Sequence, residues 1–367
     1  MNLRDAIRRW RDEVGETHSL GALRVALGFL FFTNALRSAH QLQEFYFGNV
    51  FHWPFLPEEF VPSESVYAIL VVGQLLLSVL VVAGYAARPA LLASALLGAY
   101  VLLCDRLDYH HNRWALACYG LLVSLSPCDR SFYVAGAPAS TQFGPLWAAR
   151  LAQIQVSIIY LASGGSKLLD PDWRGGLVLW ERFRLFGPQA LDAGAPARVV
   201  AWLSHPASTS ALAKLAIVTE LFLAIGLWSR RSRVYALWWG VWFHIVIEAT
   251  SRVEGFTWLA LAVYVLFVTP DVRARKLFFD SSRRRGRLIA RGVAWLDWLA
   301  RFDIKAWAPD PVRRGHAVVV VRRDGTHATG VRALAMLARC IPLLFPLWAP
   351  LAFLASFTKG GEASARA

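Results

Sequence analysis

The sequence predicts an all-α polytopic membrane protein with about eight transmembrane helices, both termini cytoplasmic, and a small C-terminal α+β appendage. Three observations lead there. The 367 residues are 56% apolar and only 17% charged, whereas ordinary soluble domains carry about 25% charged residues, so a water-facing surface cannot be drawn from what remains. Apolar runs of roughly 17 to 22 residues recur before Pro270, the length that crosses about 30 Å of hydrocarbon at 1.5 Å per residue. Finally, the arginines and lysines cluster at alternate ends of these runs, as the positive-inside rule requires.

Taken in order, the runs place spans at 21–38, 65–85, 88–106, 113–127, 145–166, 211–229, 232–250 and 254–269. The first follows a basic amphipathic start with Arg4, Arg8, Arg9 and Arg11; it lacks a small-residue cleavage site and is longer than a signal core, so it reads as an uncleaved anchor. Arg88, Arg130, the cluster Arg230, Arg231 and Arg233, and the exit Arg273, Arg275 and Lys276 then fall on one side with the N-terminus. The opposite side receives segments 41–63, 105–113, 167–210 and 250–254. Two of these are rich in aromatic residues (Phe51, His52, Trp53 and Phe55; Trp173, Trp180 and Phe183), which suits interfacial segments folded over an outward-facing cavity.

The net charge of +14 is explained by membrane orientation rather than by nucleic acid, because the basic residues mark span ends and the tail instead of one face. Cys104, Cys118, Cys128 and Cys340 contain no CxxC pair and read as small buried hydrophobes. The chain therefore divides into a membrane domain, 1–270, and a basic cytoplasmic tail, 271–367. In the tail an apolar run at 317–321, an Asp324-Gly325 turn and a helix-like stretch predict an α+β unit. Run 335–357 is interrupted by Arg339, Pro342, Pro346 and Pro350; it serves either as a ninth span or as a helix on the appendage.

Several polar residues sit where hydrocarbon makes them costly. Glu220 lies near the centre of its span, at about 2.5 to 3.5 kcal/mol on insertion scales; it lines a functional interior or ties two helices. His244 and Glu248 are one turn apart on a helical face, so the carboxylate orients the imidazole for acid/base work or the two form a structural pair. Lys167 ends its span after the small residues Ser163, Gly164, Gly165 and Ser166, and is either a snorkelling lysine or a partly buried base. The turn from Asp105 through His110, His111, Asn112 and Arg113 lies toward the same outer side, with Asn34, Arg37 and His40 of the first span. Convergence on a single outer polar site is the economical expectation. No metal is predicted, since no ligand spacing identifies one.

At these residues the chain resembles the HTTM (horizontally transferred transmembrane) family, whose best-known member is vitamin K-dependent gamma-glutamyl carboxylase. The resemblance spans about 15–270. It rests on Gln155 through Tyr160, then Gly164-Gly165-Ser166-Lys167-Leu168, Asp172-Trp173 and Gly175-Gly176; on Asn112-Arg113-Trp114 with 126–131; and on Phe243-His244. It implies that Lys167 deprotonates a reduced vitamin K-like quinone. Two departures follow: Arg113 stands at a family histidine position, and the tail replaces a large lumenal domain, so processive glutamate carboxylation is not expected. The tail resembles the thioredoxin-like DCC domain through 276–280 and 318–337, but Arg283 and Gly286 occupy the cysteine positions, which implies a degenerate module without thiol chemistry.

The combined expectation is a bacterial inner-membrane, multi-pass protein holding a lipophilic small molecule such as a quinol in an outer-leaflet cavity. In this reading Lys167 is the base and His244 with Glu248 the second acid/base element. Glu220, Tyr160, His111, Asn112, Arg113 and Arg37 line the site, and Trp173 and His52 cap it. Membrane lipid, and a secreted peptide as a second substrate, are the further partners. A non-catalytic lipid- or peptide-binding scaffold is the rival reading and a transporter the third.

Overall fold

The computed structural model describes residues 3–41, 53–133, 143–192, 194–251, 253, 255–268, 273–307 and 316–358. The chain forms two units, Met1–Val268 and Thr269–Ala367. In the first, α1 (Leu3–Arg11) leads through β1 (Val14–Glu16) into α2 (His18–Gln41), followed by α3 (Glu64–Ala83), α4 (Ala87–Leu103) and α5 (His111–Ser124). Then come β2 (Phe143–Pro145), α6 (Trp147–Leu169), α7 (Pro171–Gly175), α8 (Leu177–Asp192) and α9 (Ala197–Leu203). The unit closes with α10 (Pro206–Gly226), α11 (Arg233–Ser251), α12 (Phe256–Val263) and a 3-10 turn, Tyr264–Phe267.

Each of the eight apolar runs is helical. Among the described residues three helices, α2, α3 and α10, are long and apolar enough to cross a membrane; α4 and the segment 256–267 are apolar but shorter. On several helices large apolar side chains face outward while polar ones are buried among the apolar core. Ile69, Val72 and Leu76 of α3 and Val218 and Ile225 of α10 are exposed, while Gln74, Ser78, Ser94, Thr219 and Glu220 are buried. Water would favour the reverse, and lipid tolerates it because helix association there depends on close packing and polar contacts. Gly28 supplies one such approach: a Cβ there would lie 2.8 Å from Val82 Cγ2 and 2.9 Å from Val81 Cγ1 on α3.

Segment 126–132 acts as a cap for a buried charge. Arg24 on α2 is fully buried, and its Nη2 donates to the carbonyls of Ser131 (3.1 Å) and Phe132 (2.5 Å). Nearby, β1 pairs antiparallel with β2, and Glu13 just before β1 forms an ion pair with Arg150 of α6 at 2.5 Å.

Between α6 and α10 the sequence suggests segments folding back, and the chain there is mostly helical. Asp170 caps α7 by accepting the N–H of Asp172 at 2.9 Å and of Trp173 at 3.4 Å. Gly176 ends that turn at φ 86°, where a Cβ would lie 2.6 Å from Thr209 C and Ser210 Cα, so a side chain at this position is excluded and the turn sits directly on α10.

The second unit contains β3 (Arg275–Phe279), α13 (Arg284–Leu296), β4 (Phe302–Ala306), β5 (Val318–Val321), β6 (His327–Thr329), α14 (Gly330–Cys340) and α15 (Trp348–Ser356). Its sheet has the order β4-β3-β5-β6. The pair β3 and β4 is parallel, while β5 runs antiparallel to both β3 and β6. The β5–β6 turn carries Gly325 at φ 80° and Asp324, whose carboxylate accepts the Thr326 N–H at 3.0 Å. Leu277, Val293, Phe302, Val318, Val320, Ala333, Leu337 and Ile341 form the core. The run at 335–357 is accordingly broken: α14 packs on the sheet, and a 3-10 stretch, Pro342–Leu347, separates it from α15. At the start of α13, a Cβ on Gly286 would meet the carbonyl oxygens of Asp280 at 2.6 Å and Ala317 at 2.7 Å.

Candidate functional site

Helix α6 carries a polar stripe through an otherwise apolar packing. Gln153, Ser157, Tyr160, Ser163 and Lys167 recur every three or four residues, which places them on one side of a helix with 3.6 residues per turn. Each ties α6 to another part of the fold. Gln153 Nε2 donates to the Leu266 carbonyl at 2.7 Å, and Ser157 Oγ accepts from Trp228 Nε1 at 2.7 Å. Farther along, Tyr160 Oη lies 2.6 Å from His244 Nε2 on α11 and 2.6 Å from Tyr264 Oη. Gly240, one turn before His244, leaves the space that the Tyr264 ring occupies.

Two turns beyond Tyr160, Lys167 Nζ is 2.8 Å from both oxygens of Glu220 and 2.5 Å from Ser163 Oγ. Ser163 Oγ in turn donates to Glu220 Oε1 at 3.1 Å. The Lys167 side chain is 17% exposed and that of Glu220 4%, so the amine is not extended toward solvent. Trp173 of α7 covers it, with its ring centroid 5.0 Å from Nζ, a cation–π distance. The approach of α6 to α10 depends on Gly164, where a Cβ would stand 3.2 Å from Glu220 Cβ.

The sequence-derived candidates thus separate by partner. Lys167, Glu220, Trp173, Tyr160 and His244 are gathered along α6. Glu248 lies one turn beyond His244 and is half-buried; among the described residues its Oε2 and His244 Nδ1 are both buried without a hydrogen-bond partner, and neither bonds the other. His111, Asn112 and Arg113 occupy the first turn of α5. There His111 stacks on His110 at 4.7 Å, Asn112 is buried with its N–H directed at His110 Nδ1, and Arg113 pairs with Asp108 at 2.8 Å. Arg113 also lines, with Asn34, Ser38 and Gln74, a small cavity of about 30 Å³ between α2, α3, α4 and α5; among the described residues both amide atoms of Gln74 are buried without a partner. Arg37 is an exposed residue of α2, and His52 lies outside the described residues. Ser163, read from the sequence only as a small packing residue, Tyr264 and Gln74 are the site-forming residues that the sequence did not single out. The first was accessible from its position between Tyr160 and Lys167 on one helical face. Among the described residues no three His, Cys, Asp or Glu side chains are placed to hold a metal.

Chemically, the arrangement sets a largely buried lysine–carboxylate pair beside a separate imidazole–hydroxyl–hydroxyl chain whose middle member, Tyr160, lies on the same helix as Lys167. Together with the outward-facing apolar side chains it defines a helical membrane protein with an ionisable centre in its interior. The chain belongs to the HTTM domain family, whose pattern matches residues 13–272. Neither a curated protein nor a solved structure matches it.

Proposed function

We propose that this HTTM-family membrane protein binds a reduced quinone or a similar lipophilic phenol beside Lys167 and removes its proton with the Lys167–Glu220 pair. The observation that supports this is the geometry of the pair itself. One amine faces both oxygens of one carboxylate in a largely water-free contact, where the charge-separated and neutral forms of such a pair lie far closer in energy than in water. The pair holds one transferable proton between its two groups. Receiving a second from a phenolic O–H leaves an ammonium and a carboxylic acid, and the ammonium charge then stabilises the phenolate. That phenolate is the electron-rich form that reacts with oxygen. Trp173 over the amine limits water, and Tyr160 with His244 and Tyr264 forms a second proton-holding relay to which Glu248 is adjacent. Oxidation of the quinol itself, or modification of a secreted peptide driven by it, both suit this chemistry.

Eight crossings of a bacterial inner membrane with both termini inside accommodate the eight helical runs and the positions of the basic residues. The strand order of the tail, a parallel β-α-β followed by an antiparallel β-β-α, supports a thioredoxin-like DCC-type module without its thiols. A non-catalytic scaffold is favoured by one observation of its own: Lys167, Ser163 and Glu220 saturate one another across the close α6–α10 approach, as a helix clamp would.

Purified protein mixed with reduced quinone under anaerobic conditions and then exposed to oxygen separates the two. Turnover in the parent should fall about a hundredfold or more in the double variant K167M/E220L, which retains a packed interior. Equal rates in parent and variant would remove the enzymatic reading and leave the clamp.

A further inference from the structure

The chain's positive charge is concentrated in its second unit. Of 39 Lys and Arg and 25 Asp and Glu, 18 and 7 lie after Val268, so this unit carries +11 of the net +14. Within it, α13 is two-faced. Gly286, Ala290 and Val293 are buried, with Ile289 and Leu296 packed against the same core. The opposite side displays Arg284, Leu288, Arg291, Trp295 and, just past the helix, Trp298 in one line at helical spacing, with Arg287 beside it. Leu288 is 55% exposed, Trp295 75% and Trp298 45%. Solvent gives no reason to place two tryptophans and a leucine there among exposed arginines.

We propose that this stripe docks on the anionic lipid surface of a membrane. Tryptophan and leucine on one helical face, with long basic side chains around them, form the pattern that seats a helix at the headgroup level. The indoles take the interface, and the arginines bury their stems while holding their heads at the phosphates. The tether permits it: residues 268–274 alone separate the 3-10 turn ending at Phe267 from β3, a reach of at most about 30 Å. Helix α15 is a useful contrast. It exposes Phe353 and Leu354 but contains no charged residue, so nothing on it selects an anionic surface.

The test uses the full chain in nanodiscs of phosphatidylcholine with and without phosphatidylglycerol, read by hydroxyl-radical labelling of side chains. Labelling of Leu288, Trp295 and Trp298 should fall severalfold when the anionic lipid is present and return in high salt. The triple variant R284Q/R287Q/R291Q should restore it, since each arginine lost weakens surface attraction roughly fivefold. Unchanged low labelling at the buried Val293 verifies that the variant is folded. Two results overturn the proposal. High labelling in both kinds of disc would leave the stripe in water. Low labelling in both discs and in detergent would mean that protein covers it, whether the first unit, a second copy or an acidic partner.

Discussion

Arg24 on α2 and Lys167 on α6 both bring a positive charge into an apolar interior, but Arg24 donates to two backbone carbonyls while Lys167 faces both oxygens of a carboxylate. Backbone carbonyls cannot take up a proton, and a guanidinium does not give one up. The α2 site is therefore an electrostatic rivet that holds segment 126–132 in place. The α6 site joins an amine to a carboxylate, two kinds of group that can exchange a proton, which is what the proposed function uses. What separates the two is the partner rather than the depth of burial.

Breaking the comparison at its stronger end should have the largest effect. Glu220→Ala leaves the Lys167 ammonium buried without a counterion and should cost about 3 kcal/mol or more, measured as thermal unfolding in detergent, whereas K167M/E220L should cost far less. If the single and double variants unfolded alike, the pair would not be a coupled unit. At the α2 site, Arg24→Met leaves the Ser131 and Phe132 carbonyls unpaired and should destabilise by about 2 kcal/mol, with quinol turnover per folded molecule unchanged; a loss of turnover would erase the distinction.

The smallest effect sharpens the contrast with an exposed pair. The Arg150 guanidinium, hydrogen-bonded to Glu13, holds the Glu13 carboxyl below its ordinary value of 4.5. A depressed carboxyl contributes stability that is complete above that ordinary value and is lost as pH falls through the lower folded value. The partners are 30% and 38% exposed, so screening reduces the contribution to roughly half a kcal/mol. Unfolding of the parent and of Glu13→Gln, followed from neutral pH to below pH 4.5, should converge at the acid end.

The helices were legible because hydrocarbon imposes a length and a composition on any segment that crosses it. The α6–α10 pairing was not: Glu220 and Lys167 each stood out as costly residues, but 53 positions separate them, and their contact depends on how far α10 is rotated about its axis. Hydropathy leaves that rotation open, although Gly164 beside Lys167 marked the close approach. Tyr264 escaped notice because an aromatic in an apolar run looks like packing until a hydroxyl partner is known. In the second unit, β5 was readable from four consecutive valines. The strand Phe302–Ala306 was missed because its alternation is short and its flanks, Arg301 and Trp307, gave no turn signal.

The glycine at 286 sets a limit on what the start of α13 can hold. With two carbonyl oxygens closed over its α-carbon, any side chain placed there has first to prise Asp280 and Ala317 away from the helix, so the corner tolerates no residue but this one.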